Sequence, residues 1–168
     1  GDLLVFESYT PTTGREVWVS DGTEAGTNPI VDLVPGSGDA DPGATTTVGD
    51  EVFFFASATA SSTPGLYRTE GTTVTLIESG IQAGAGDKSI ASFGSDRAVL
   101  NVQGPSSSEQ LWGADRNQAS PLSNEIAPVF RDSEVFNDGN VTPVTINDRV
   151  FFTARTSAAG TELYTTDG

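Results

Sequence analysis

Carboxylates are the only abundant reactive groups in this chain. Of its 168 residues, 23 are Asp or Glu and 8 are Lys or Arg, while His and Cys are absent. Without imidazole, the commonest general base and transition-metal ligand is missing. Without thiols there can be no disulfide and no thiolate metal site. Ser-His-Asp arrangements are excluded, and no phosphate-gripping Gly-Lys-Thr/Ser turn occurs. What remains is carboxylate chemistry, either cation binding or paired acids for glycoside hydrolysis.

Two acidic patterns need weighing. In Asp39-Ala40-Asp41-Pro42-Gly43, with Asp32 upstream, carboxylates stand at alternate positions. Calcium loops use that spacing because alternate side chains can point at one cation. The run lacks the third acid and the distal bidentate Glu of such a loop. Asp32, Asp39 and Asp41 are therefore calcium candidates, and no other cofactor is implied. The second pattern is the recurring acid at Asp21, Glu70, Asp115 and Asp167. It reads as a ring of carboxylates or, more simply, as a turn residue that satisfies nearby backbone N–H groups. With so many acids some pairing is inevitable, so proximity alone does not make a glycosidase. The sequence points to no catalytic residue, and the chain is expected not to be an enzyme.

The formal net charge of −15 repels phosphate backbones and anionic headgroups. Nucleic acid and membrane insertion are thereby disfavoured, and no stretch approaches the roughly 20 apolar residues of a span. The chain starts at Gly1 rather than at Met, so it reads as a processed product or an excised segment. Asn140-Val141-Thr142 forms a glycosylation triplet. The long irregular piece from Ser123 to Asn140 carries Phe130 and Phe136.

The elements that must position these groups recur. Gly14-Arg15-Glu16-Val17-Trp18-Val19-Ser20-Asp21-Gly22-Thr23 is echoed at Leu66 to Thr72, at Glu109 to Asp115 and at Gly160 to Gly168. Trp18, Tyr67, Trp112 and Tyr164 thus recur about every 45 to 50 residues, the period of a repeat array. A second block keeps the same beat, with Asp2-Leu3-Leu4-Val5-Phe6 matching the runs that start at Asp50, Asp96 and Asp148. Each repeat reads as four short strands. The expected strands are Leu3–Ser8, Glu16–Ser20, Asn28–Val34 and Ala44–Val48, then Val52–Ala56, Gly65–Thr69, Val74–Glu78 and Ser89–Phe93. The third repeat gives Ala98–Val102, Gln110–Ala114, Ser120–Ser123 and Val141–Ile146, and the last gives Val150–Ala154 and Glu162–Thr166. No run keeps a helical period.

Runs such as Phe53-Phe54-Phe55 and Val150-Phe151-Phe152 do not alternate with polar residues. Both faces of such strands are expected to be buried between sheets. The fold class is therefore all-β, a β-propeller-type array of four-stranded antiparallel blades with about 3.5 repeats. Residues 1–168 form a single repeat domain divided at 1–48, 49–93, 94–146 and a partial 147–168. The competing architecture, a β-sandwich, would alternate more strictly.

The stretch Glu16, Trp18, Asp21, Gly22, Thr23, Gly26 and Thr27 resembles the ELWxxDGT repeat family, as does Glu162 to Gly168. The middle repeats depart from it, since Glu70 replaces the Asp and Arg116 follows Asp115. The resemblance implies a β-propeller in a large secreted or surface protein, and no reaction. The function expected is a non-catalytic extracellular or cell-surface module with a structural or adhesive role. Carbohydrate or protein-ligand binding is the alternative. The last repeat holds two strands, so open terminal blades are expected to meet copies of the chain or the remainder of a longer propeller.

Overall fold

The computed structural model describes residues 3–59, 63–83, 90–103, 109–123, 127–128, 144–147, 149–156 and 158–167. Among them the elements are all β-strands, paired antiparallel in four sheets. β1 (Leu4–Thr10), β2 (Gly14–Ser20) and β3 (Asn28–Pro29) form the first sheet in that order. β4 (Gly43–Val48), β5 (Glu51–Ala56), β6 (Gly65–Glu70) and β7 (Thr73–Glu78) form the second. The third contains β8 (Gln82–Ala83), β9 (Ile90–Phe93), β10 (Arg97–Gln103), β11 (Glu109–Asp115) and β12 (Ala119–Ser123), with β8 and β9 both on β10. The fourth contains β13 (Ala127–Pro128), β14 (Val144–Ile146), β15 (Arg149–Thr156) and β16 (Gly160–Thr166), where β13, β14 and β16 all pair with β15.

Why the two sequence blocks keep one beat is now plain. They are the two arms of the same hairpin. Phe6 faces Trp18, Phe54 faces Tyr67, Leu100 faces Trp112 and Phe152 faces Tyr164 across successive registers. Such cross-strand pairs are the unit of sheet stabilisation. The repetition extends to irregularities, because the register shifts between Leu66 and Tyr67 and again between the equivalent Leu111 and Trp112.

Sheets and sequence repeats are offset by one strand. The strand closing each sequence repeat, at β4, β9 or β14, pairs with the first strand of the next repeat and so leads the following sheet. These leading strands lie side by side, β4 against β9 and β9 against β14. That is how inner strands line the axis of a propeller. Between the sheets run three apolar layers. Val17, Phe54 and Tyr67 join the first to the second, Phe53, Phe55, Leu66 and Leu100 the second to the third, and Val99, Leu111 and Phe152 the third to the fourth. Phe53, Phe54 and Phe55 are 0%, 0% and 4% exposed, because adjacent side chains enter opposite layers.

Three expectations need correction. The strand expected at Asn28–Val34 stops at Pro29. The N–H groups of Leu33 and Val34 go to the Glu16 carboxylate instead of a ladder. β8 and β13 have no counterpart in the sequence pattern, since two residues show no period. Finally, Phe152 is buried against the third sheet, but its neighbour Phe151 is only half-buried, facing outward from the last described sheet.

Candidate functional site

At Asp21 and Asp115 the recurring acid builds turns. Asp21 Oδ1 accepts the backbone N–H and the hydroxyl of Thr23 at 2.9 and 2.7 Å. These bonds, the hydroxyl first, hold its carboxyl below the usual carboxylate range. The Thr23 hydroxyl accepts Gly26 N–H at 3.0 Å, and Thr27 Oγ1 donates to the Thr23 carbonyl at 2.6 Å. A side chain at position 26 would collide with the Asp21 carboxylate, which explains the glycine. Asp21, Thr23, Gly26 and Thr27 are therefore one hydrogen-bonded loop. Asp115 acts likewise, accepting the N–H groups of Asn117 and Gln118 at 2.7 and 3.0 Å. Glu70 does not; it lies 3.5 Å from the Arg68 guanidinium.

Asp32, Asp39 and Asp41 are not brought together, and the described residues contain no cluster of three potential acid ligands. Asp39 Oδ1 accepts the Arg15 backbone N–H at 2.8 Å, and Asp41 Oδ1 accepts from Arg15 Nη1 at 3.3 Å. Asp32 Oδ2 accepts Gly36 N–H at 3.3 Å. Between the two aspartates, Ala40 is fully buried; it donates to the Arg15 carbonyl and accepts from Ser57 N–H. The alternate spacing thus serves a strut between the first and second sheets. Asn140, with Phe130 and Phe136, lies outside the described residues.

Two buried acids had no distinguishing signal in the sequence. Glu16 is 0% exposed, and its carboxylate takes the Leu33 and Val34 N–H groups at 3.1 Å each. Burial pushes its carboxyl up, against the pull of those two bonds, and nearby Asp32 and Asp39 add to the rise. Glu51 receives Arg68 Nη1 at 2.7 Å, with Arg116 Nη2 3.9 Å away. Each of these carboxylates holds backbone or guanidinium groups in place.

Apolar positions that are covered elsewhere in the repeat stand open on the two end faces. Val17, Leu66, Leu111 and Leu163 occupy one position of the repeat, facing Glu7, Phe55, Asn101 and Thr153 across the hairpin. The first three are 2%, 0% and 2% exposed, each packed towards the following sheet, whereas Leu163 is 70% exposed. Ile146 repeats the contrast: its equivalents Val48 and Phe93 are buried, and it is 55% exposed. The first sheet shows the mirror case. Leu4 holds the position of the buried Ala98 and Val150 yet is 65% exposed. Beside it lies Trp18, whose indole Nε1 is buried without a hydrogen-bond partner among the described residues.

No family model matches the chain, and no curated protein matches it. Among solved structures it resembles the crystal structure of TolB from Acinetobacter baumannii, with a TM-score of 0.52 at 9% identity. The match covers 98% of this chain and 50% of that one, so the chain spans about half the length of the TolB structure. TolB contains a β-propeller, and at this identity the likeness speaks to fold alone. The chain is a β-propeller-like array. Its end faces are the open flanks of that array.

Proposed function

We propose that the chain is a non-catalytic β-propeller module of an extracellular or cell-surface protein, of the ELWxxDGT-repeat kind, with a structural role exercised through its end faces. The observation that carries this is the contrast at one repeated position, where Val17, Leu66 and Leu111 are buried and Leu163 is 70% exposed. Leu163, Ile146 and Phe151 form the half of an intersheet layer that looks forward. Leu4, Phe6 and Trp18 form the half that looks back. The two faces are complementary halves of the same joint, to be completed by a second copy of the chain or by the remainder of a longer propeller. Joining unlike faces is heterologous, giving a ring if the rotation closes and a filament if it does not.

The absence of His and Cys and the structural use of Asp21, Asp115, Glu16 and Glu51 support the non-catalytic part of the proposal. A net charge of −15 opposes association at low salt, so an apolar joint should strengthen as salt screens it. Light scattering of the purified chain at micromolar concentration tests this. Particles heavier than one chain, growing with salt and abolished by Leu163→Arg, are expected. A monodisperse 17.4 kDa particle at every salt concentration would overturn self-association.

A further inference from the structure

We infer that Arg149 clamps the Asp21–Gly22 turn of a second copy of the chain, taking that copy as the occupant of the joint proposed above, on which this rests. Two inner joints show the pattern. Arg97, at the start of β10, donates from Nη1 to the Asp167 carbonyl at 3.1 Å, in the turn that follows β16 of the next sheet. Arg68 donates from Nε to the Arg116 carbonyl at 2.9 Å, in the turn that follows β11 of the next sheet. Each guanidinium thus reaches forward to one of two consecutive carbonyls at the recurring acid. Those oxygens lie beyond the strand ladder and need a donor.

The register says which residue stands ready to do this on the fourth sheet. Arg97 pairs with Phe93 and Asp115, and Arg149 pairs with Ile146, the equivalent of Phe93. Arg149 is therefore the counterpart of Arg97. On the second sheet Glu51 holds that place, opposite Val48 and Glu70, and draws in Arg68 at 2.7 Å. The first sheet has Leu3 there, and Arg15 ties its joint through Asp39 and Asp41. Among the residues with described side chains five are arginines. Arg15, Arg68, Arg97 and Arg116 serve joints between sheets, and the fifth, Arg149, is exposed. By the alternation of β15 it shares the outward face of Phe151.

The matching turn is on the first sheet. Asp21, Gly22, Thr23 and Glu24 are exposed, and Asp21 holds the place of Asp115 and Asp167. The two acids of this turn complement a guanidinium, whose rigid donor fork suits oxygens. A chain of net charge −15 repels its copies, so a cation facing an acidic turn supplies local attraction where the apolar halves meet. Cation and turn stand on the fourth and first sheets of one chain, so two copies close the clamp head to tail.

Light scattering over a concentration series at high salt compares Arg149→Gln with the unsubstituted chain. Arg149 is exposed in the single chain, so the variant should keep its circular dichroism spectrum and its melting temperature when dilute. Its half-association concentration should rise about tenfold, from one lost charge-assisted hydrogen bond, and Arg149→Lys should recover part of that. The chain has no cysteine, so Arg149→Cys and Glu24→Cys each install a single thiol. A short bismaleimide should link these two variants to each other when mixed, and neither to itself. Association that Leu163→Arg abolishes but Arg149→Gln leaves unchanged overturns the clamp while the joint stands. Linking within a single variant, or none in the mixture, overturns it too. A monodisperse 17.4 kDa particle from the unsubstituted chain overturns clamp and self-association together.

Discussion

The Arg68 guanidinium meets the Glu51 carboxylate at 2.7 Å, on a side chain that is only 5% exposed. Arg68 Nε also donates to the Arg116 carbonyl at 2.9 Å, so the pair ties the second sheet to the turn that closes β11. Removing one partner of a buried pair strands the other charge. Arg68→Ala is expected to cost about 3 kcal/mol in a denaturant titration. The double variant with Glu51→Ala should recover part of that, because no buried charge remains. A single variant no less stable than the double would show that the pair carries no such strain.

Packing in the layers should separate two adjacent-looking phenylalanines. Phe54 is 0% exposed and stacks on Tyr67 with ring centroids 5.7 Å apart, whereas Phe151 looks out from the fourth sheet. Phe54→Ala is expected to cost about 3–5 kcal/mol. Phe151→Ala should cost less than half as much, measured in dilute solution. Equal losses would mean that the outward face is covered.

How much of this was legible in the residues depends on what each residue does locally. The apolar runs announced strands buried on both faces, and Phe53 to Phe55 show why: neighbouring side chains enter different layers. The recurring Asp21 also announced its turn, since its bonds run only to Thr23. Glu16 and Glu51 gave no such warning. Their partners, Val34 and Arg68, stand 18 and 17 residues away, and no local period links them. The partner of Asp39 and Asp41 is equally distant in the sequence. Arg15, 24 residues upstream of Asp39, holds them in place of a cation.

Chelation is expected to leave thermal stability unchanged. Asp39 and Asp41 are occupied by Arg15, and Asp32 by Gly36, so the strut forms without an ion. Thermal melts with and without a strong chelator check this. A fall of several degrees that added calcium reverses would place a cation at Asp39 and Asp41, because a ligand bound only to the native state raises its melting point.

Glu16 should make stability depend on pH in a direction opposite to most carboxylates. Its folded-state pKa is raised, chiefly by burial, above the unfolded value. The native state therefore holds this proton more tightly than the unfolded chain does. The contribution is fully present below the ordinary carboxylate pKa and is lost as pH rises through the higher folded value. Asp21 works the other way, since its lowered carboxyl favours the native state above the ordinary value. Subtracting a Glu16→Gln variant isolates the one group, because the remaining acids titrate in both chains. Denaturant titrations across the acid-to-neutral range should show the unsubstituted chain losing stability relative to the variant as pH climbs. A difference that stays level, or that grows with pH, would mean that the two N–H bonds from Leu33 and Val34 outweigh the desolvation of the carboxylate.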